Sequence, residues 1–248
     1  MLGEVDDDSA ARVIVTTEDK VIMLSNSKGY WIPRKVILML KFEPQGTLVW
    51  SKWLQPPVYS NHALPTPDGG YLSVGYGYNA LTQSSDNLVI KFDSEGNVEW
   101  SGLYGGTAFD EGIQIQATVE GDYVMCGETY SYGSNTVRSI GIVKIDGNGS
   151  MLWQRVVGTA SDDLPCQGMS VARNGAIYAG SSITNSGLAG NKNAFIVKLL
   201  GAGVTEWAKV VGGAWTTNLR NVEATEDNGV LLTGVRMDLG RETLTDSL

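Results

Sequence analysis

The chain has 248 residues, 42% apolar and 18% charged, with a formal charge of −9. An acidic surface repels phosphate and anionic lipid, which excludes nucleic acid as a partner, and the longest apolar stretch, Val36 to Leu40, is far below the ~20 residues that span a bilayer, which excludes membrane insertion. Glycine contributes 31 residues, about 12% against roughly 7% in ordinary chains, an excess that favours tight turns over long helices and points to an all-β protein.

The N-terminal segment, Met1 to Ala11, carries three consecutive aspartates and neither a basic n-region nor an apolar h-region, so no signal peptide is expected in it. The first unit, about residues 8–54, then opens with strands expected near 11–17 and 20–26. It continues through the apolar run Val36 to Leu40 and closes on Lys41, Gly46 and Trp50. The second unit, about 55–105, repeats the plan with strands near 61–66 and 70–78, the run Leu88 to Ile90, and Lys91, Gly96, Trp100. Pro65 falls inside its first strand, where a central strand would lose a ladder hydrogen bond. The third unit, about 106–158, has strands near 112–118 and 122–129, the run Ile140 to Val143, and Lys144, Gly149, Trp153. The fourth, about 159–212, has strands near 166–171 and 176–182, the run Ala194 to Val197, and Lys198, Gly203, Trp207. The fifth, about 213–248, offers only strands near 219–225 and 229–236.

Two phrases therefore recur with fixed spacing. One is Lys, five residues to Gly, four more to Trp. The other is a hairpin, clearest as Thr66-Pro-Asp-Gly-Gly-Tyr-Leu-Ser-Val-Gly75 and repeated at Thr118 to Gly127, Val171 to Gly180 and Thr225 to Gly234. Positive-φ turn residues bracketed by β-branched and aromatic residues read as strand, turn, strand. Each unit is thus four strands, A to D, and the unbroken apolar C strands must be covered on both faces. The D strand carries the tryptophan, large enough to fill space between neighbouring sheets. Four-stranded units of this length indicate a β-propeller forming one domain, with four complete repeats and an incomplete fifth. Closure of the ring is expected to need further chain, a partner or self-association, since an unpaired B strand is an aggregation-prone edge.

Lys91-Phe-Asp-Ser-Glu-Gly-Asn-Val-Glu-Trp100, preceded by the Asp68-Gly-Gly-Tyr turn and followed by Tyr104-Gly-Gly106, resembles the repeats of bacterial and archaeal β-propeller proteins. It is also similar to the quinoprotein-like blade, in which an Asp, a Gly and a Trp tie strand C to strand D. The resemblance runs from about Asp8 to Met237 and implies a propeller, with an extracellular or cell-surface setting for many of its members. Function does not follow from it, since such folds host scaffolds, adhesins, binders and enzymes. Glu43 and Leu200 replace the turn aspartate held by Asp93 and Asp146.

Chemistry is sparse. Cys126 and Cys166 each lie in an apolar run and are expected as buried free thiols acting as small hydrophobes. The single histidine, His62, excludes zinc sites built on several imidazoles and is expected to line the core or channel. No dinucleotide or P-loop motif is present. Asp146-Gly-Asn-Gly-Ser150 looks like a calcium loop but lacks the later bidentate Glu, so it reads as a turn, and Asn148 with Ser150 forms a formal glycosylation sequon. No metal or cofactor is implied.

Aligning the units places Asp110 and Asp163 in equivalent positions just before strand A, with Glu111 beside the first. Such acids would stand near the channel mouth, as loop caps or as a glycosidase pair. Short A–B and C–D turns share one face; longer B–C and D–A connections, rich in Ser, Asn, Gly and Tyr, share the other. The functional expectation is a non-catalytic binding or scaffolding module that takes a protein or glycan ligand on that second face, through Tyr78, Asn79, Tyr130, Tyr132 and Trp215. The alternatives are a glycoside hydrolase working through Asp110, Glu111 and Asp163, or a quinoprotein-like dehydrogenase, for which neither a cationic cofactor clamp nor a Ca²⁺ site is evident.

Overall fold

The computed structural model describes residues 9–16, 20–27, 36–54, 58–132, 137–158, 163–184, 192–212 and 216–237. Among them are only strands, paired antiparallel in chain order. The first sheet is β1 (Ser9–Val15), β2 (Val21–Ser27), β3 (Val36–Phe42) and β4 (Leu48–Leu54). The second is β5 (Val58–Pro65), β6 (Tyr71–Asn79), β7 (Ser84–Phe92) and β8 (Val98–Tyr104). The third is β9 (Asp110–Ala117), β10 (Tyr123–Thr129), β11 (Ser139–Ile145) and β12 (Met151–Val157). The fourth is β13 (Gly168–Val171), β14 (Ile177–Thr184), β15 (Lys192–Leu199) and β16 (Thr205–Val211), and β17 (Thr216–Ala224) with β18 (Val230–Met237) forms the fifth. The fold is a β-propeller of four-stranded antiparallel blades. The first strand of every blade borders a central cavity of about 460 Å³, represented by Arg12, His62, Gln114, Ser170 and Arg220.

The recurring Lys and Trp are cross-strand partners: Lys41 with Trp50, Lys91 with Trp100, Lys144 with Trp153 and Lys198 with Trp207. In each case the D strand bulges by one residue just before the Trp, at Val49, Glu99, Leu152 and Glu206. The bulge bends the strand and turns the indole toward the next blade. There the ring lies over the next blade's turn glycine. A Cβ on Gly96 would come within 2.7 Å of the Trp50 ring, one on Gly149 within 2.9 Å of Trp100, and one on Gly203 within 2.9 Å of Trp153. These glycines are doubly required, because they also sit at φ of +76, +83 and +77. Gly46 shares the positive φ, +87, but meets nothing within 4 Å.

The lysines explain themselves by burial. Lys41, Lys91 and Lys144 are 3%, 5% and 6% exposed, so each ammonium must find partners. Lys91 Nζ donates to Asp68 Oδ2 and Glu99 Oε2, both at 2.8 Å. Lys144 pairs with Glu120 and Asp122, both at 3.2 Å, and Lys41 reaches the neighbouring blade to donate to the Ser94 carbonyl at 2.8 Å. The motif lysine thus ties strand C to a turn of its own blade or the next.

The core consists of layers between adjacent sheets. Ile22, Leu24 and Met39 of the first blade meet Tyr71, Ile90 and Phe92 of the second. Leu72, Val74 and Val89 meet Ile115, Met125 and Val143. Val124, Ile140 and Ile142 meet Met169, Ile177 and Val197.

Two expectations are corrected here. Cys126 and Cys166 are not free thiols: they form a disulfide with a Cα–Cα distance of 6.3 Å, bridging β10 to the segment that leads into β13. Their apolar flanks are what buries them, but the same burial puts both sulfurs in one layer, between the third and fourth blades. Pro65 costs no central ladder bond, because β5 is an edge strand of its sheet.

Candidate functional site

Strands A begin and strands B end on the same face of the propeller, the one that carries the B–C and D–A connections. At this end of the second blade Tyr59 and Tyr76 are cross-strand partners, and their rings stack with centroids 4.2 Å apart and planes 14° apart. Tyr76 continues to Phe109 at 5.7 Å, and Phe109 to Tyr130 edge-on at 6.3 Å. Four half-buried rings thus run in a row from the second blade onto the third. The row is held in place by the backbone, since Tyr130 N–H donates to the Phe109 carbonyl at 3.0 Å.

Beside the end of this row lies a cavity of about 580 Å³ lined by Ala108, Phe109, Glu128, Tyr130 and Arg138. The Arg138 guanidinium is fixed on two sides. Its Nε donates to Asp163 Oδ1 at 2.8 Å and its Nη1 to Glu128 Oε2 at 3.0 Å, while the Arg138 backbone N–H adds a bond to Asp163 Oδ1 at 3.1 Å. The hydrogen bonds from Arg138 hold the Asp163 carboxyl below the usual carboxylate range. Glu111, the cross-strand partner of Glu128, moves the other way. Burial pushes its pKa up against the Asn61 Nδ2 bond at 2.8 Å, and the Glu128 charge adds to the rise. Tyr76 is likewise raised, by burial, by its bond to Tyr59 and by Glu111.

The structure separates Asp110 from Asp163. Asp110 is the first residue of β9 and is 1% exposed, its Oδ2 accepting from Gly106 N–H at 2.9 Å and Ser131 Oγ at 2.6 Å. Asp163 lies outside any strand, clamped by Arg138. Turn hydrogen bonds show why the alignment slipped. Thr66 N–H bonds to Gly70 O in the second blade, and the same bond in the fourth runs from Ala172 to Ala176, so Ala172 and not Val171 stands in the place of Thr66.

Of the tyrosines singled out from sequence, Tyr130 lines the cavity, while Tyr78 and Tyr132 stand exposed at the rim. Asn79 is turned inward: it donates to Asp86 Oδ2 at 2.6 Å and accepts from Leu81 N–H at 3.0 Å. The loop it opens is short, since β6 reaches Asn79 and β7 begins at Ser84. Trp215 lies outside the described residues. Tyr59, Tyr76, Phe109, Glu128 and Arg138 were not legible as site residues. The available signal was the i, i+2 spacing of Tyr76 and Tyr78 at the end of one B strand, which places both rings on the same face of the sheet.

The central cavity carries His62. Burial, together with the Arg12 guanidinium, lowers its pKa from 6.5 to about 4, so the imidazole is neutral at pH 7, and Nδ1 has no hydrogen-bond partner. The charge acting on it is cationic, which is the reverse of the carboxylate that orients a catalytic histidine. Asp146 makes a turn, its Oδ1 accepting from Asn148 N–H at 2.9 Å and Ser150 N–H at 2.8 Å. Glu43 and Leu200 keep the same backbone turn bonds without a side-chain acceptor of that length.

No protein-family model and no curated protein matches the chain. Solved structures do resemble it in fold. A glucose dehydrogenase aligns with TM-score 0.51 at 12% identity, over 94% of this chain and 82% of its own. A protein of unknown function from Bacteroides caccae aligns with TM-score 0.50 at 11% identity, over 84% of this chain and 69% of its own. At such identities the likeness concerns the propeller fold alone.

Proposed function

We propose that this propeller is a non-catalytic binding module whose long-loop face takes a glycan along the row from Tyr59 to Tyr130. The observation that carries the reading is the row itself, four half-buried rings ending at a cavity that presents a fixed guanidinium. Sugar rings offer apolar C–H faces to aromatic side chains and hydroxyls to planar donors and carboxylates. A rigid aromatic surface with a few placed polar groups meets both needs. The acids also favour binding over hydrolysis: Asp163 is held ionised by Arg138 and Asp110 is consumed by a backbone and a hydroxyl donor.

One feature favours the enzyme alternative. Glu111, with its raised pKa, stands opposite Glu128 near the same rings, as a general acid would beside a second carboxylate. Titration calorimetry with a panel of neutral and acidic oligosaccharides, alongside a reducing-end assay, separates the two readings. Binding without product formation is expected. Tyr130→Ala and Phe109→Ala should each weaken it about tenfold, the loss expected for one stacked ring, with little change in melting temperature. Affinity unchanged by both substitutions sinks the ring-row assignment. Product formation abolished by Glu111→Gln establishes the hydrolase instead, and capture of a protein but no sugar moves the ligand class.

A further inference from the structure

Two carboxylates lie inside the seam between the second and third blades. Asp86, in β7, is 3% exposed and Asp110, in β9, is 1% exposed. Both point at the bare face of Gly105: a Cβ there would meet Asp110 Oδ2 and stand 2.9 Å from Asp86 Oδ1 and 3.0 Å from the Asp110 carboxylate carbon. One oxygen of each is accounted for, Asp86 Oδ2 by Asn79 and Asp110 Oδ2 by Gly106 and Ser131. The other oxygen of each, Oδ1, is buried without a hydrogen-bond partner. Neither carboxylate forms an ion pair among the described residues.

This arrangement is peculiar to one seam. The residue that matches Asp86 is Ser139 in the third blade and Asn193 in the fourth, facing Gly158 and Gly212 in the same way. Both are neutral. A buried carboxylate without a counter-charge costs several kcal/mol, and two in contact with one glycine, in a chain already at −9, compound the cost. Burial raises the Asp86 pKa against the lowering bond from Asn79, and the Asp110 charge adds to the rise. A single shared proton would neutralise one charge; a divalent cation between the two carboxylates neutralises both and gives the orphan Asp86 Oδ1 a partner.

We propose that Asp86 and Asp110 hold a hard divalent cation of the Ca²⁺ class in the seam between the second and third blades. The protein offers two carboxylates there rather than three or more acidic ligands, so water completes the oxygen shell that such an ion requires. The ion sits below the rim, since Ser131, which bonds Asp110, is followed by Tyr132, whose hydroxyl reaches the Gly105 carbonyl at 3.4 Å. It would lock the two blades that share the ring row.

The test uses the full chain freed of metal by chelation, with CaCl₂ added alone and MgCl₂ or NaCl at matched ionic strength for comparison. No sugar is present, so the outcome is independent of the glycan reading. One Ca²⁺ per chain should bind in calorimetry, raising the melting temperature by about 3–5 °C at tenfold above the dissociation constant. Asp86→Asn with Asp110→Asn should abolish both responses, and Asp86→Asn alone, should the double variant not fold, should weaken binding at least tenfold. Asp146→Asn, in an exposed turn, should bind as the unmodified chain does. Absence of heat and of a melting shift with Ca²⁺ overturns the proposal, as does an undiminished response in the Asn variants. A melting temperature that ignores Ca²⁺ but rises as the pH is lowered toward 5 identifies a shared proton and likewise overturns it.

Discussion

The seam between the third and fourth blades and the seam between the second and third solve the same packing problem with different chemistry. The former is tied in its interior by neutral bonds, with the Arg138–Asp163 pair bridging the two blades at its rim. Cys126 is bonded to Cys166, Gln114 Oε1 and Gln116 Oε1 accept from Met169 N–H and Val171 N–H at 2.9 Å, and Gln116 Nε2 donates to the Met169 carbonyl at 3.1 Å. The glutamine amides act there as substitutes for a missing strand partner. The latter seam keeps a single such amide, Asn61, which donates to Gly112 O at 2.9 Å. It spends the rest of its rim on the ring row and its interior on two unpaired carboxylates. The covalent tie thus lies in the seam without the ring row, and two of the buried side-chain oxygens without a partner lie in the seam that carries it.

The largest way to break this contrast is to remove the disulfide. Closing a span of 40 residues is worth about 4 kcal/mol in the chain-entropy account, so Cys126→Ala with Cys166→Ala, or reduction, should lower the melting temperature by roughly 8–15 °C in calorimetry. A shift below about 2 °C would mean that the glutamine bonds and apolar layer hold that seam unaided. Next in size is Gly149→Ala. Its φ of +83° and the Trp100 ring 2.9 Å from the added Cβ should together cost about 3 kcal/mol. Gly46→Ala, with the same sign of φ and open space, should cost about 1 kcal/mol. Equal losses in denaturant titrations would show that the ring contact contributes nothing.

The effect in the channel is confined to acid. His62 titrates at about 4 in the fold against 6.5 unfolded, so the fold favours the neutral ring. The stability this contributes is present above pH 6.5 and lost as the pH falls toward 4, amounting to about 2 kcal/mol for a partly shielded group. His62→Gln should flatten the stability profile between pH 6.5 and 4, leaving the steeper carboxylate losses below. One of those is Asp68, lowered to about 2 by its Lys91 and Thr66 bonds against a burial that would raise it. An unchanged slope in the variant would place the titration elsewhere.

Fold and site differ in how far they could be read without coordinates. The strand order followed from two spacings, because a hairpin and its turn are closed within about a dozen residues and a positive-φ glycine announces itself locally. Lys91 to Trp100 is such a pair. The ring row was only partly legible: Tyr130 was singled out, yet its row is completed by Tyr59, Tyr76 and Phe109, drawn from two blades. Asp163 was matched to Asp110 by a phrase displaced by one residue, and β13, the only four-residue strand described, shows no bulge of the kind seen at Asn61 in β5 or Ile113 in β9.

By itself, then, the sequence determined the blade repeat, the positions of the turns and the strand that carries each of Trp50, Trp100, Trp153 and Trp207, all of them consequences of short-range backbone geometry. Only the tertiary structure decided that Cys126 meets Cys166, that Trp50, Trp100 and Trp153 cover the next blade's glycine, and that Asp86 faces Asp110 across Gly105. Those contacts depend on the rotation and offset of one sheet against another. Face-to-face packing sets that register through the summed shape of many side chains, and no spacing along the chain encodes it.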